Sequence, residues 1–133
     1  MKKNATILLL LVTTLCLARQ VASKGIVSII DVRKAGEQEP DPAKHKQHDV
    51  VVCRTEDRAY TVYFFRTERD TVQRFQATWG SDDDLNKASY KWLDDTLVSI
   101  KLYSTTSKKQ AAFKAFGRHL SDGSKRTGIT RND

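Results

Sequence analysis

The chain has 133 residues, 29% of them charged and 8% aromatic, with a formal charge of +7. That length accommodates one domain with a core of its own. Only Cys16 and Cys53 are present, which excludes the disulfide framework of a small stapled fold, and no Gly-x-Ser-x-Gly elbow occurs.

Residues 1–23 have the three-part layout of a secretory signal peptide. Lys2 and Lys3 precede an apolar run from Ala5 to Leu17, and small residues follow. The run is too short for the roughly 20-residue helix that crosses a membrane, so no stable membrane anchor is expected after cleavage. Small side chains place the cut after Ala18 or after Ser23, the latter preferred. Leu15 and Leu17 flank Cys16, which sets lipid attachment aside. Either cut leaves Cys53 as the sole thiol, and the later one lowers the formal charge to about +4. A periplasmic or secreted destination follows, and that modest charge gives no reason to expect nucleic acid as a partner.

Residues 24–47 hold a first strand, carried by Ile26, Val27, Ile29, Ile30 and Val32, and then a polar linker containing Pro40 and Pro42. The expected core domain spans 48–117. Val50 to Cys53, Tyr60 to Phe65 and Val72 to Trp79 are strand-like runs separated by the charged turns Arg54-Thr55-Glu56-Asp57-Arg58 and Arg66-Thr67-Glu68-Arg69-Asp70. Successive hairpin turns lie at opposite ends of a meander, so the two Arg-Thr-Glu copies should sit a strand length apart. An acidic loop with Asp82, Asp83 and Asp84 follows, then strands over Ser89 to Leu93 and Leu97 to Tyr103. In the second, Val98, Ile100 and Leu102 alternate with polar residues. Residues 110–116 have alanines that favour helix, but Ala111, Phe113 and Ala115 alternate just after a turn, and we read a strand. Residues 118–133 are read as a flexible polar tail. The expectation is an all-β fold: an antiparallel meander forming a small β-sandwich or partial barrel of about 6–7 strands, preceded by the signal peptide.

No motif assigns a catalytic residue, a metal or a cofactor. His45 and His48 sit three apart but are crowded by Lys44 and Lys46. Asp82, Asp84 and Asn86 open like a calcium loop, yet Lys87 stands where glycine is needed and Leu93 where glutamate is needed. Cys53, between Val52 and Arg54, is read as a packed small hydrophobe. Flat rings near carboxylates suit sugar recognition, and on that basis Trp79, Asp82, Asp84, Tyr90 and Trp92 are the candidate ligand-binding residues. The expected function is non-enzymatic binding of a protein partner or surface glycan. The competing reading is a small secreted hydrolase using His48 and His119. A third option, a polyanion binder built on Arg54, Arg58, Arg66, Arg69 and Arg74, is weakened by the acidic residues among them.

Overall fold

The computed structural model describes residues 23–31 and 39–131. Of the signal peptide expected over 1–23, all but Ser23 lies outside the described residues. The strands are β1 (Lys24–Ser28), β2 (Ile30–Asp31), β3 (Val50–Arg54), β4 (Ala59–Glu68), β5 (Thr71–Gly80), β6 (Lys87–Trp92), β7 (Leu97–Tyr103), β8 (Gln110–His119) and β9 (Lys125–Arg131). They form a five-stranded sheet ordered β1-β6-β7-β8-β9 and a four-stranded sheet ordered β2-β3-β4-β5. All neighbours are antiparallel except β2 and β3. The architecture is the expected antiparallel all-β sandwich. The two sheets approach at β5 and β9 without joining into a closed barrel.

Three details depart from the sequence reading. The first strand is split at Ile29, so that β1 belongs to one sheet and β2 to the other. Residues 110–116 lie in a strand, as read, but β8 runs on to His119. The segment taken as a tail contains β9, which pairs with β8 from Phe113↔Arg131 to His119↔Lys125. These additions raise the strand count to nine.

The core lies between the sheets because one face of each strand is apolar. Val52, Tyr60, Val62, Phe64 and Phe75 meet Ala88, Trp92, Val98, Ile100, Leu102 and Phe113 there. Gly117 of β8 also points inward, and a Cβ at that position would come within 2.6 Å of the Phe75 ring and 2.9 Å of Phe64. The connection between β4 and β5 is a two-residue loop in which Arg69 and Asp70 both have positive φ, 52° and 63°. This is the geometry that matches strand twist and usually recruits Asn or Gly.

The outer face of the four-stranded sheet carries a second apolar cluster of Cys53, Tyr63 and Phe65, with Val51 and Val72 against it. Residues 39–49 cover part of it. His45 stacks on Phe65 with ring centroids 4.4 Å apart. Arg74 reaches the Pro40 carbonyl at 2.7 Å and the Glu39 carboxylate at 2.7 Å while lying over the Tyr63 ring. Within the linker, Asp41 caps the short 3-10 turn Pro42–Lys44. Cys53 is buried in this cluster, and burial pushes its thiol pKa up. A thiol so placed packs rather than reacts.

Candidate binding face

The expected ligand site does not assemble. Trp79 and the acidic loop share one end of the sandwich, because β5 ends at Gly80 and the loop follows directly. Trp92 lies at the far end of β6, beyond Tyr90 and five residues from Lys87. At about 3.3 Å per residue that is a separation of about 17 Å along the strand. Trp92 is also only 3% exposed, packs on Phe64, and donates its indole N–H to the His48 carbonyl at 2.9 Å. Trp79 is half-buried between Phe113, stacked at 4.7 Å, and the Arg131 guanidinium. Tyr90 packs against the core beneath Gly25. Burial, followed by the charge of Asp49, pushes its hydroxyl pKa up.

The loop carboxylates are already matched with cations. Asp82 faces Arg58 at 3.5 Å, Asp83 faces Lys109 at 3.0 Å, and Asp84 pairs with Arg54. The hydrogen bond from Arg54 holds the Asp84 carboxyl below its ordinary range. The Tyr60 hydroxyl pins the loop from below, donating to the Asp83 carbonyl at 2.5 Å and accepting from the Leu85 N–H at 3.0 Å. These interactions explain the loop as a structural closure of the sandwich end.

The two histidines of the hydrolase reading occupy the opposite end, where Arg66 organises the chain. Arg66 is buried, donates to the carbonyls of Asp95 and Gly117, and pairs with Glu68 at 2.5 Å. Glu68 in turn pairs with His119 Nδ1. Burial acts to raise the Glu68 carboxyl, but the hydrogen bond from His119 and the charge of Arg66 outweigh it and hold the carboxyl below its ordinary value. His48 has a left-handed backbone, φ 71°, and both ring nitrogens are engaged: Nδ1 with Ser23 Oγ at 2.8 Å, Nε2 with Asp95 at 3.2 Å. A depression of about 270 Å³ is lined by His119, Glu68, Arg69, Thr71, Gln73 and Gly123, and His48 is not among them. The main-chain carbonyl of Ser23 also accepts from Trp92 N–H at 2.8 Å. A cut after Ser23 removes both Ser23 contacts, whereas a cut after Ala18 keeps them.

Four of the five arginines proposed as a polyanion site are likewise neutralised, Arg69 being the exception. Arg54 and Arg66 do stand at opposite ends of the β3–β4 hairpin, and Arg54, Arg58, Arg66 and Arg74 each pair with a carboxylate. The unneutralised charge is elsewhere. β1, β6, β7, β8 and β9 contain no Asp or Glu. Since Ala88, Trp92, Val98, Ile100, Leu102, Phe113 and Ala115 point inward, the alternate positions point outward. They present Lys24, Lys87, Lys91, Lys101, Lys114, Arg118 and Arg126 on one broad face. Among the described residues none of these cations has a carboxylate within ion-pairing distance.

Compared with known protein families, curated proteins and solved structures, the chain matches none.

Two features mark the basic face as more than a solvated surface. Lys24 stands directly across from Lys91, and Arg118 directly across from Arg126. Like charges at facing positions of an antiparallel pair destabilise it. The face also dips between β1 and β7 into a shallow depression of about 580 Å³, lined by Lys24, Ile26, Ser89, Lys91, Ser99 and Lys101 together with Gly25 and Tyr90. Ile26 there is 67% exposed. Sequence reasoning missed this face because its cations are scattered from position 24 to 126 and only strand register collects them. One signal was legible: no acidic residue falls within any of the strands from Lys87 onward.

Proposed function

We propose that this protein is an exported, non-enzymatic binding module that holds an acidic glycan against the outer face of its five-stranded sheet. The observation that carries this reading is the set of outward lysines and arginines with no carboxylate among them. Unneutralised cations at fixed positions on a rigid sheet attract an anionic ligand and fix where it lies.

The residue types favour a glycan over a protein. Protein interfaces are built on aromatic and arginine anchors and are depleted in lysine. Here lysine dominates, Ser89, Ser99 and Thr130 stand between the charges, and Ile26 is the most exposed large apolar side chain among the described residues. Lysine for acidic groups and hydroxyls for hydroxyls is a glycan-like requirement. Duplex nucleic acid, with one charge per roughly 1.7 Å of axis, calls for denser neutralisation than lysines separated by whole strand spacings supply.

The test is binding of the purified protein to immobilised polygalacturonate, with neutral dextran and polyglutamate as comparators. Retention on polygalacturonate alone, weakening steeply as salt rises, is the expected result. Equal or stronger retention on polyglutamate would move the assignment to an acidic protein partner, and no retention on either would overturn it.

The hydrolase reading has one observation in its favour. Glu68 holds His119 through Nδ1, and His119 lines the depression beside Arg69, as an oriented general base would. Hydrolysis of p-nitrophenyl esters that falls at least 100-fold in His119→Ala would establish it, and equal rates in both proteins would remove it.

A further inference from the structure

The outward cations are not spread evenly, and their arrangement says how a ligand chain would lie. Strand register aligns Lys24, Lys91, Ser99, Lys114 and Thr130 in one row that crosses β1, β6, β7, β8 and β9. Each is the direct partner of the next. The rows on either side are poorer in charge. One has Ile26, Ser89, Lys101 and Ala112, with a single cation; the other has Leu97, Phe116 and Gly128, with none. The Phe116 ring lies over Gly128, whose Cβ position is 2.5 Å from it. The basic face therefore has a transverse stripe of charge bordered on one side by a row with one cation and on the other by a row with none.

Along any one strand the same charges are less favourably disposed. β6 offers Lys87 and Lys91 with Ser89 between them, and Lys87 is turned toward Ser28, whose hydroxyl accepts from its ammonium at 2.8 Å. β7 offers Lys101 alone, and that ammonium lies over the Tyr103 ring at 5.5 Å. In the transverse row, no hydrogen bond or ion pair occupies the ammonium groups of Lys24, Lys91 or Lys114 among the described residues. Those three cations of the row are free to meet a ligand; Arg118 and Arg126 are likewise unpaired among the described residues but face each other two rows away.

Resting on the binding function proposed above, we infer that the acidic glycan lies across the strands, along the Lys24, Lys91, Ser99, Lys114, Thr130 row. Its carboxylates or sulfates meet the three lysines, and its neutral hydroxyls meet Ser99 and Thr130. Strands stand about 4.8 Å apart, so the row covers about 19 Å from β1 to β9. Its charges fall at intervals of one and two strand spacings. Ser99 is the neutral position between Lys91 and Lys114. At the β1 end the depression lined by Ile26, Ser89 and Ser99 lies beside Lys24 and Lys91, where it accommodates a sugar ring while both ammonium groups hold its acid. The unfavourable Lys24 and Lys91 pairing then has a use: two ammonium groups converge on one anion.

The experiment compares two triple variants with the same change in charge. The first is Lys24→Gln, Lys91→Gln and Lys114→Gln, all in the row. The second is Lys87→Gln, Arg118→Gln and Arg126→Gln, all outside both the row and the depression. Binding of oligogalacturonates of increasing length is measured by calorimetry, and circular dichroism verifies that both variants stay folded. The row variant is expected to bind at least tenfold more weakly with a shallower salt dependence, and the other less than threefold more weakly. Affinity should rise with oligomer length until the chain spans the row, then level off. Equal losses in the two variants would overturn the transverse seat while leaving the basic face as the binding surface. No loss in either would show that the basic face is not the site, and with it the function proposed above would fall.

Discussion

The two outer faces of this sandwich are opposites. The outer face of the four-stranded sheet is apolar and covered: Cys53, Tyr63 and Phe65 are buried there, under His45 and the Arg74 side chain. The outer face of the five-stranded sheet is basic and, among the described residues, bare, with Ile26 67% exposed among the lysines. A sheet in a small protein needs one dry face for stability and can leave the other wet. Here the four-stranded sheet dries both faces, so β4 is buried along Ala59 to Arg66. The five-stranded sheet is thereby released from contributing more than its inner surface. Every ion pair among the described residues lies at the sandwich ends or on the covered side. Stability and the proposed binding surface are therefore carried by different parts of the molecule.

The largest break in this division comes from uncovering the apolar side. Phe65 is fully buried beneath His45, and Phe65→Ala should cost about 3–5 kcal/mol, as for other large core truncations. Urea unfolding would measure it. A cost near zero would mean that residues 39–49 lie on the sheet without contributing to stability.

A smaller break comes from the end clamp of Arg66, Glu68 and His119. The Glu68 carboxyl is held below its ordinary value of 4.5, so its stabilisation is complete above that pH and is lost as pH falls through the lowered folded value. Acid should thus loosen the fold. Glu68→Gln should lose about 1–2 kcal/mol at neutral pH, and the gap to the unsubstituted protein should close as pH falls below 4.5. Parallel acid-unfolding curves for the two proteins would show that another group carries this stability.

The β4–β5 turn sharpens the comparison in the other direction, because it is on the covered sheet and is not optimised. Asp70 holds φ at 63° without being glycine. Asp70→Gly relieves the left-handed conformation and should stabilise by a few tenths to about 1 kcal/mol, read as a higher midpoint in thermal unfolding.

Much of this fold was legible in the sequence. The alternation of Val98, Ile100 and Leu102 and the charged turns after Cys53 and Phe65 give the strands and hairpins directly. The residues 110–116 follow from Ala111, Phe113 and Ala115 pointing one way, all on the core side. What was not legible depended on partners. Lys125 to Arg131 has two neighbouring cations, a glycine and a single large apolar residue, and only pairing with β8 makes it a strand. The break at Ile29 exists because the two sheets diverge there. The site fared worse for the same reason. Trp79, Asp82 and Trp92 are close in sequence, but Trp92 is carried to the other end by the length of β6. The basic row joins positions 24, 91 and 114, which nothing in the sequence places together.

The smallest expected effect is the most informative about why the bare face is basic. Lys24 and Lys91 face each other across the β1–β6 pair with no carboxylate nearby, an arrangement worth a few tenths to about 1 kcal/mol against the fold. Replacing either lysine by glutamine removes the whole repulsion, so each single variant should be slightly more stable, and the double variant no more stable than a single one. The cycle therefore has a coupling of definite sign, largest at low ionic strength and fading as salt brings the screening length to about 8 Å. A measured coupling of zero would mean that the two side chains splay apart into water, as on any solvated sheet. A repulsive coupling would mean that the protein tolerates a standing cost at the two lysines nearest the depression. An anion bound between them relieves that cost, so the same glutamine variants that gain stability should lose affinity for oligogalacturonate.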